Sequence, residues 1–323
     1  MTPAYRAGML LRSAVESDLD RFLPLLVADP GCSTVTAESY RTKLASGEYR
    51  LDRTWLAEQD GDLRAVAVWW GGAGSAAPQA LDGIFTHPAV GTGPERTALA
   101  AELLRAAHTA FGDSPSYHVF LPGDWREQPA VLAALTWRQQ AARQAGLTGE
   151  LERLRFEWRP EVCPEPAPPG TGLEFAEEPD DEVFVELFRR VIAGSLDSDS
   201  TTGAAKVGAE QQAREDVAFY RDEMLGERSW WRVARNAAGE LVGFGLPSRN
   251  HSFPVVGYLG VLPEHRGHGH AESILAEITR ILIAETAPAE IRADTDLGNH
   301  PMAAAFLRTG YRNSARRLVL SAD

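Results

Sequence analysis

The segment Arg266–Ala271, RGHGHA, combines glycines with the start of a helix, a pattern that suits the binding of an anion. The apolar residues Tyr258–Leu262 predict a buried strand before it, and Pro263 ends the pairing of that strand. Glycines let consecutive backbone N–H groups point into one concavity, and the helix N-terminus adds about half a positive charge. The arrangement predicts a phosphate site ahead of a helix whose apolar face consists of Ile274, Leu275, Ile278, Ile281 and Leu282.

This loop differs from two common phosphate-binding loops, because no Lys-Ser/Thr pair follows the glycines and G-x-G-x-x-G is absent. Glycine-rich turns between a strand and a helix also occur without any ligand. The string R-x-x-G-x-A behind Val-Leu-Pro, however, resembles the acyl-CoA pyrophosphate loop of the GNAT N-acetyltransferase superfamily. The resemblance implies that the loop amides hold the pyrophosphate and that the strand before them binds pantetheine. The cofactor-binding residues it implies here are Leu259, Gly260, Val261, Arg266, Gly267, His268, Gly269, His270 and Ala271.

A second motif follows near residue 300. Asn299 predicts an N-cap, Pro301 suits the first turn of a helix, and Gly310 predicts its end. The spacing of Asn299, Phe306 and Gly310 is similar to the C-terminal motif of the family, in which the asparagine approaches CoA and a helix residue approaches its sulfur. Many members have a tyrosine where this chain has Phe306, and phenylalanine cannot protonate the leaving thiolate. The resemblance extends over about residues 173–323.

Three residues are predicted as acid–base groups. Asp294 and Asp296 lie at the end of a predicted strand, on the same side if the strand continues, where either carboxylate could bind an ammonium group or take its proton. Their alternative role is to cap the following turn. Tyr258 is a candidate substitute acid. The polar stretch 195–202, SLDSDSTT, is interpreted either as an acidic lid for an amine or as a surface loop.

Three histidines lie in or beside the loop, but we predict no metal site. The concavity of the loop is expected to be lined by backbone amides, and the imidazoles should point outward. They are His265, His268 and His270.

The Pro-rich segment 161–171 predicts a linker between two halves. Each half has an acidic helix (Glu16–Val27 and Asp180–Ile192), a strand–turn–strand unit, a strand that ends at proline, and a further helix. We therefore predict an α/β (α+β) protein with two GNAT-like domains, 1–160 and 172–323, each a mixed twisted sheet flanked by helices. In the first domain, Gly91 aligns with Arg266 and Pro94 with Gly269, and proline removes an amide donor from the loop. The first domain is thus predicted to be a degenerate copy.

The chain has 323 residues, 44% of them apolar and 24% charged, with a formal net charge of −13. This composition is that of a globular protein, and the acidic balance argues against nucleic acid as a partner. No stretch of 18 consecutive apolar residues is present, which argues against a membrane span. Two cysteines, Cys32 and Cys163, indicate a reducing, cytoplasmic location.

The combined prediction is an acyl-CoA-dependent N-acyltransferase. Its co-substrate is expected to be acetyl-CoA, and its acceptor a primary amine on a small molecule that attacks the thioester directly. Two alternatives stay open at this point: a non-catalytic acyl-CoA-binding regulatory or scaffold protein, and an enzyme that decarboxylates or hydrolyses acyl-CoA.

Overall fold

The computed structural model describes residues 8–27, 32–166, 172–250 and 252–322. The chain divides into two compact units, which we call unit 1 (Met1–Glu152 with Ala315–Asp323) and unit 2 (Arg153–Ser314). If the domains were 1–160 and 172–323, as predicted, the last strand of each half would belong entirely to that half. The units instead group residues 153–158 with unit 2 and residues 315–321 with unit 1. Residues 167–171 of the predicted linker lie outside the described residues.

The first half of the chain contains six strands and four α-helices within the described residues. In chain order they are β1 (Met9–Ser13), α1 (Leu19–Phe22), α2 (Ala37–Ser46), β2 (Tyr49–Gln59), β3 (Asp62–Trp70), β4 (Ala80–Thr86), α3 (Pro94–Phe111), β5 (Tyr117–Pro122), α4 (Pro129–Gln144) and β6 (Gly149–Trp158).

The second half also contains six strands, with five α-helices, in its described residues. They are β7 (Glu174–Ala176), α5 (Asp181–Ile192), α6 (Ser198–Val207), α7 (Ala209–Ala218), β8 (Arg232–Arg235), β9 (Leu241–Arg249), β10 (Pro254–Val261), α8 (His270–Thr286), β11 (Ile291–Asp296), α9 (His300–Arg308) and β12 (Arg312–Ser321).

The two units share one strand order. Unit 1 runs β1-β2-β3-β4-β5-β12, and unit 2 runs β7-β8-β9-β10-β11-β6. The first four strands of each are antiparallel, the fourth and fifth are parallel, and the sixth is antiparallel again. Each unit therefore has a mixed sheet with helices packed on it, as predicted for each half, but its sixth strand comes from the other half of the chain.

Unit 2 buries a core on each face of its sheet. On one face, the predicted apolar side of α8 packs with Phe156, Trp158 and Ile291. On the other face, α5 and α7 bury Phe184, Phe188 and Val217 against β8 and β9. In unit 1, α3 and α4 cover one face of the sheet, and Phe22 and Tyr40 belong to a second cluster.

Two local predictions differ from the structure. A single helix was expected over Glu16–Val27, but its α-helical part is Leu19–Phe22, followed by a 3₁₀ turn, because Pro24 lacks an N–H. The polar stretch 195–202, interpreted as a lid or loop, contains the start of α6, since the side chain of Asp197 caps the helix by accepting a hydrogen bond from Ser200 N.

Candidate active site

The parallel strands β10 and β11 part at the centre of unit 2. Their register joins one residue pair, Val255 with Arg292 near the start of both strands. Beyond that pair lies a cleft of about 730 Å³, lined by β10, by the loop before α8 and by α9. All the residues that line it belong to unit 2. Since the facing edges of the two strands separate there, their backbone groups are open to an extended ligand.

The predicted phosphate loop has the backbone that its sequence required. Gly267 has φ +84° and Gly269 has φ +78°, and α8 begins at His270. Beyond the adjacent residues, no atom lies within 4 Å of the position that a Cβ would take on either glycine, so the positive φ, not crowding, accounts for glycine here. Within the described ranges, no backbone carbonyl accepts from the amides of residues 267–269. Together with the first amides of α8, they are left as free donors, the arrangement expected of a cradle for an anion.

The side chain of Arg266 does not point into this cradle but ties it to the end of α5. Its guanidinium donates to the carbonyls of Val191 (2.7 Å), Ala193 (2.8 Å) and Gly194 (3.1 Å). Its Nε donates to the carbonyl of Val261 (3.1 Å). Arg266 therefore fixes the position of the loop, because its guanidinium is hydrogen-bonded to four carbonyls at the ends of a helix and a strand.

The three loop histidines lie near one another, with ring centroids 6.0 and 6.4 Å from His270. Nδ1 of His270 is buried without a hydrogen-bond partner, and burial lowers the pKa of this side chain, with the nearby His268 and His265 acting in the same direction. Among the residues that the structure describes, no group of three or more His, Cys, Asp or Glu side chains could hold a metal ion.

The predicted pantetheine strand is β10. A Cβ on Gly260 would lie 2.8 Å from Phe244 and 2.9 Å from Val191, so only glycine fits. Leu259 and Val261 pack on the opposite face with the core around α8. Leu262 donates its N–H to Val242 of β9 (2.9 Å), so the N–H of Val261 points to the other edge, towards the cleft.

The second motif also reaches the cleft. Asn299 caps α9, as predicted, with its Oδ1 accepting from the N–H of Met302 at 3.3 Å. Phe306 is buried, stacks on Phe156 with ring centroids 4.7 Å apart, and lines the cleft. The ring of Tyr311 lies edge-on to Phe306, but its hydroxyl is hydrogen-bonded to Thr279.

The two predicted aspartates are held by arginines. Asp294 lines the cleft and pairs with Arg155 at 3.1 Å. Asp296 is 4% exposed, accepts a 2.6 Å hydrogen bond from Ser198 N and pairs with Arg153 at 3.0 Å. The strand register sets both pairs, because Asp294 and Asp296 lie directly opposite these arginines on β6.

Tyr258 lies in the cleft with its ring against Phe188, centroids 4.7 Å apart, and its hydroxyl 3.5 Å from Ser200 Oγ. Burial raises the pKa of Tyr258 well above its usual range, so the hydroxyl keeps its proton at neutral pH.

Sequence reasoning missed Asp216, which also lines the cleft. A signal was present: Ala213 and Val217 define the buried face of α7, and helical spacing places Asp216 and Tyr220 beside them. Burial raises the pKa of Asp216 to about 6.

Comparison with known proteins fits this geometry. Residues 197–311 match the family model described as "Acetyltransferase (GNAT) family". A search of curated protein sequences gave no match.

Solved structures show the fold over nearly the whole chain. A GCN5-related N-acetyltransferase from Sphaerobacter thermophilus is 15% identical, with a TM-score of 0.57, and the alignment covers 97% of this chain and 95% of that one. A tandem GNAT protein from the clavulanic acid biosynthesis pathway is 17% identical, with a TM-score of 0.55 and coverage of 98% and 99%. A GCN5-related glucosamine N-acetyltransferase region of a fungal multi-domain β-N-acetylglucosaminidase is 12% identical, with a TM-score of 0.57 and coverage of 98% and 38%.

The fold, the cleft and the family match together define an acyl-CoA-dependent acyltransferase. Residues 197–311 match the GNAT family, and the GNAT-like sheet in each unit gives the chain the fold of a tandem GNAT protein. The family uses acetyl-CoA as co-substrate. In the described part of the chain, no helix is both long and apolar enough to span a membrane.

Proposed function

We propose that this protein transfers an acetyl group from acetyl-CoA to the primary amine of a small molecule. The observation that carries the proposal is the cleft of unit 2, where an amide-lined loop at the start of α8 and a set of carboxylates line the same space. An amide cradle favours the phosphates of CoA, and carboxylates favour a cationic acceptor.

The cofactor would bind along the parted strands. The amides of residues 267–271 would hold the pyrophosphate, and pantetheine would pair with the open edge of β10 at Leu259–Val261. Asn299 and Phe306, which line the other wall, would border the cofactor near its sulfur. The positive-φ turn supports this assignment, because the fold provides no backbone acceptor for the amides of residues 267–269.

The chemical step would be direct attack. The lone pair of the neutral amine forms the C–N bond at the thioester carbonyl, the C–S bond breaks, and the CoA thiolate leaves. The N–H of Val261 would donate to the carbonyl oxygen as negative charge develops there. Holding both reactants in one cleft can supply about 7–11 kcal/mol of the barrier, so positioning outweighs any single base.

The acid–base assignments of Asp294, Asp296 and Tyr258 stay predictions. Both carboxylates already neutralise an arginine, which weakens each as a proton acceptor. Because Phe306 has no proton to give, the thiolate would leave without assistance from that position.

The test is to incubate the protein with acetyl-CoA and a panel of small primary amines, while recording free thiol and the mass of the acceptor. We expect equal amounts of thiol and acetylated amine. Thiol release without acetylated amine would indicate hydrolysis, and binding of acetyl-CoA without turnover across the panel would favour a non-catalytic binding protein.

A further inference from the structure

The carboxylates of the cleft differ in whether an arginine lies within ion-pair distance of them. Asp199 pairs with Arg153 at 2.7 Å, and Asp197 lies 3.7 Å from the same guanidinium. Glu272 pairs with Arg308, and Asp294 pairs with Arg155. Asp216 has no cationic partner among the described residues. It is therefore a carboxylate of the cleft that no arginine approaches within ion-pair distance.

One oxygen of Asp216 is also unused as a hydrogen-bond acceptor. Its Oδ1 accepts from Gln212 Nε2 at 2.8 Å, which fixes the carboxylate on α7. Its Oδ2 has less than 1 Å² of accessible surface and no hydrogen-bond partner. A buried carboxylate oxygen without a donor is unfavourable, so a bound N–H group would improve its environment.

Aromatic side chains accompany this carboxylate. Immediately after α7, the chain forms a π-helical turn over Phe219–Glu223, which continues the face of Asp216 with Phe219 and Tyr220. The ring of Tyr220 lies 5.2 Å from that of Phe219 and 6.4 Å from that of Tyr258. All three rings line the cleft, and the hydroxyl of Tyr220 is held by the carbonyl of Gly257 at 2.8 Å.

A carboxylate beside aromatic rings is the chemistry that recognises an organic ammonium ion. The carboxylate supplies charge and a hydrogen-bond acceptor, and the ring faces attract the cation and its alkyl carbons. A neutral acceptor would leave the charge of Asp216 uncompensated, and an anion would be repelled by it.

We propose that Asp216 Oδ2, with the rings of Phe219, Tyr220 and Tyr258, binds the acceptor as an alkylammonium ion and takes its proton. This proposal rests on the proposed acetyl transfer. One proton passes from the ammonium to Asp216 and on to solvent, and the neutral nitrogen attacks the thioester. The second proton of the nitrogen goes to the departing thiolate through water, giving the amide and CoA thiol. Asp216 thus selects cationic primary amines over uncharged nucleophiles.

The experiment measures binding without turnover. Protein saturated with CoA is mixed with n-butylamine at pH 7.5, and saturation-transfer NMR reports contact between the amine and the protein, with n-butanol as the uncharged probe. Asp216→Asn removes the charge, Asp216→Glu keeps it, and Glu215→Gln changes an exposed carboxylate of the same helix that is bonded to Gln211. Calorimetry with CoA and a melting curve are recorded for every variant.

We expect butylamine signals, but no butanol signals, for the wild type and Glu215→Gln, a loss of at least about tenfold for Asp216→Asn, and a partial signal for Asp216→Glu. CoA affinity should be the same in all four proteins. Failure of the wild type to bind CoA would refute the proposed function itself. Normal CoA binding with an amine signal that is absent, or equal in wild type and Asp216→Asn, would overturn this inference alone.

Discussion

In each unit, a short segment joins the fourth strand to the next helix. The two segments lie between equivalent elements but differ in the backbone N–H groups that they offer. In both units, the parallel strands meet at one residue pair near their start, Leu81 with Tyr117 in unit 1 and Val255 with Arg292 in unit 2. In unit 2, the helix begins after Gly269 in the left-handed region. In unit 1, the corresponding helix begins at Pro94 after Gly93 in an extended conformation, and its first residue has no N–H.

This difference separates the requirements of the fold from those of the site. A parted pair of parallel strands is a property of the sheet, and both units keep it. A cradle for a pyrophosphate needs consecutive donors, and unit 1 has lost one of them. We therefore predict that unit 1 is a degenerate copy, and the following changes test this comparison.

The largest effect is expected from Gly269→Pro. Proline fixes φ near −65°, whereas Gly269 has φ +78°, so the substitution distorts the cradle and removes one donor. We expect the affinity for acetyl-CoA, measured by calorimetry, to fall at least about 100-fold.

The matched control is Gly91→Pro in unit 1, where φ is +73° and the N–H donates to Pro88. It should leave acetyl-CoA affinity unchanged, with far-UV circular dichroism confirming that both variants fold. A loss in Gly91→Pro equal to that in Gly269→Pro would contradict the comparison.

The next largest effect concerns pH. Because burial raises the pKa of Asp216 to about 6, the carboxylate that accepts the ammonium proton is lost below that pH. We expect kcat/KM for a primary amine to rise as the pH increases through about 6. It should then stay constant up to the pKa of the amine. Asp216→Asn should lose this rise.

The titratable or charged groups around Asp216 are Asp197, Asp199, Glu215, Arg153, Tyr220 and Tyr258.

The same shift gives a stability prediction of known sign. Asp216 has a higher pKa folded than unfolded, so the folded state binds more protons between about pH 4 and 6 and loses stability as the pH rises through that window. Asp216→Asn should therefore raise the melting temperature at pH 7 while it lowers activity. A variant that is both inactive and less stable would indicate a structural role instead.

A smaller effect is expected from Arg266→Ala. The substitution removes hydrogen bonds to four carbonyls, which costs about 1–3 kcal/mol of unfolding free energy, and frees the loop. We expect acetyl-CoA affinity to fall about tenfold, because the cradle is no longer preorganised. Arg190→Ala is the control, since this α5 arginine pairs with the exposed Glu264 and should change affinity less than about twofold. Equal effects would show that Arg266 does not position the loop.

Local rules explain which parts of the site could be predicted. The apolar spacing of α8 predicted side chains that are all buried, the N-cap at Asn299 is present, and the glycines of the loop have positive φ. Each of these depends on residues a few positions apart. The arginine partners of Asp294 and Asp296 could not be predicted, because they come from β6, more than a hundred residues away in sequence. The role of the Arg266 side chain was missed for the same reason, since three of its four acceptors lie at or just after the end of α5, more than seventy residues away in sequence.

The smallest expected effect concerns the stability of unit 1, which buries the ionisable side chain of His108. His108 of α3 is 6% exposed, and neither ring nitrogen has a hydrogen-bond partner in the described residues. It packs edge-on against Trp69, with ring centroids 6.1 Å apart, and burial lowers its pKa. A depressed histidine pKa means that folding stability is fully present above about pH 6.5 and falls as the pH drops below it.

His108→Leu should therefore raise the unfolding free energy by about 1 kcal/mol at pH 7 and by more at pH 5, as measured by urea unfolding. His87→Leu, the same change at an exposed site of unit 1, removes only the hydrogen bond that Nδ1 accepts from Ala89 N, so it should not raise the unfolding free energy at either pH. Acetyl-CoA affinity should stay constant in both variants, because the predicted cofactor loop belongs to unit 2. If His108→Leu weakened acetyl-CoA binding, unit 1 would take part in the function and the contrast between the two units would fail.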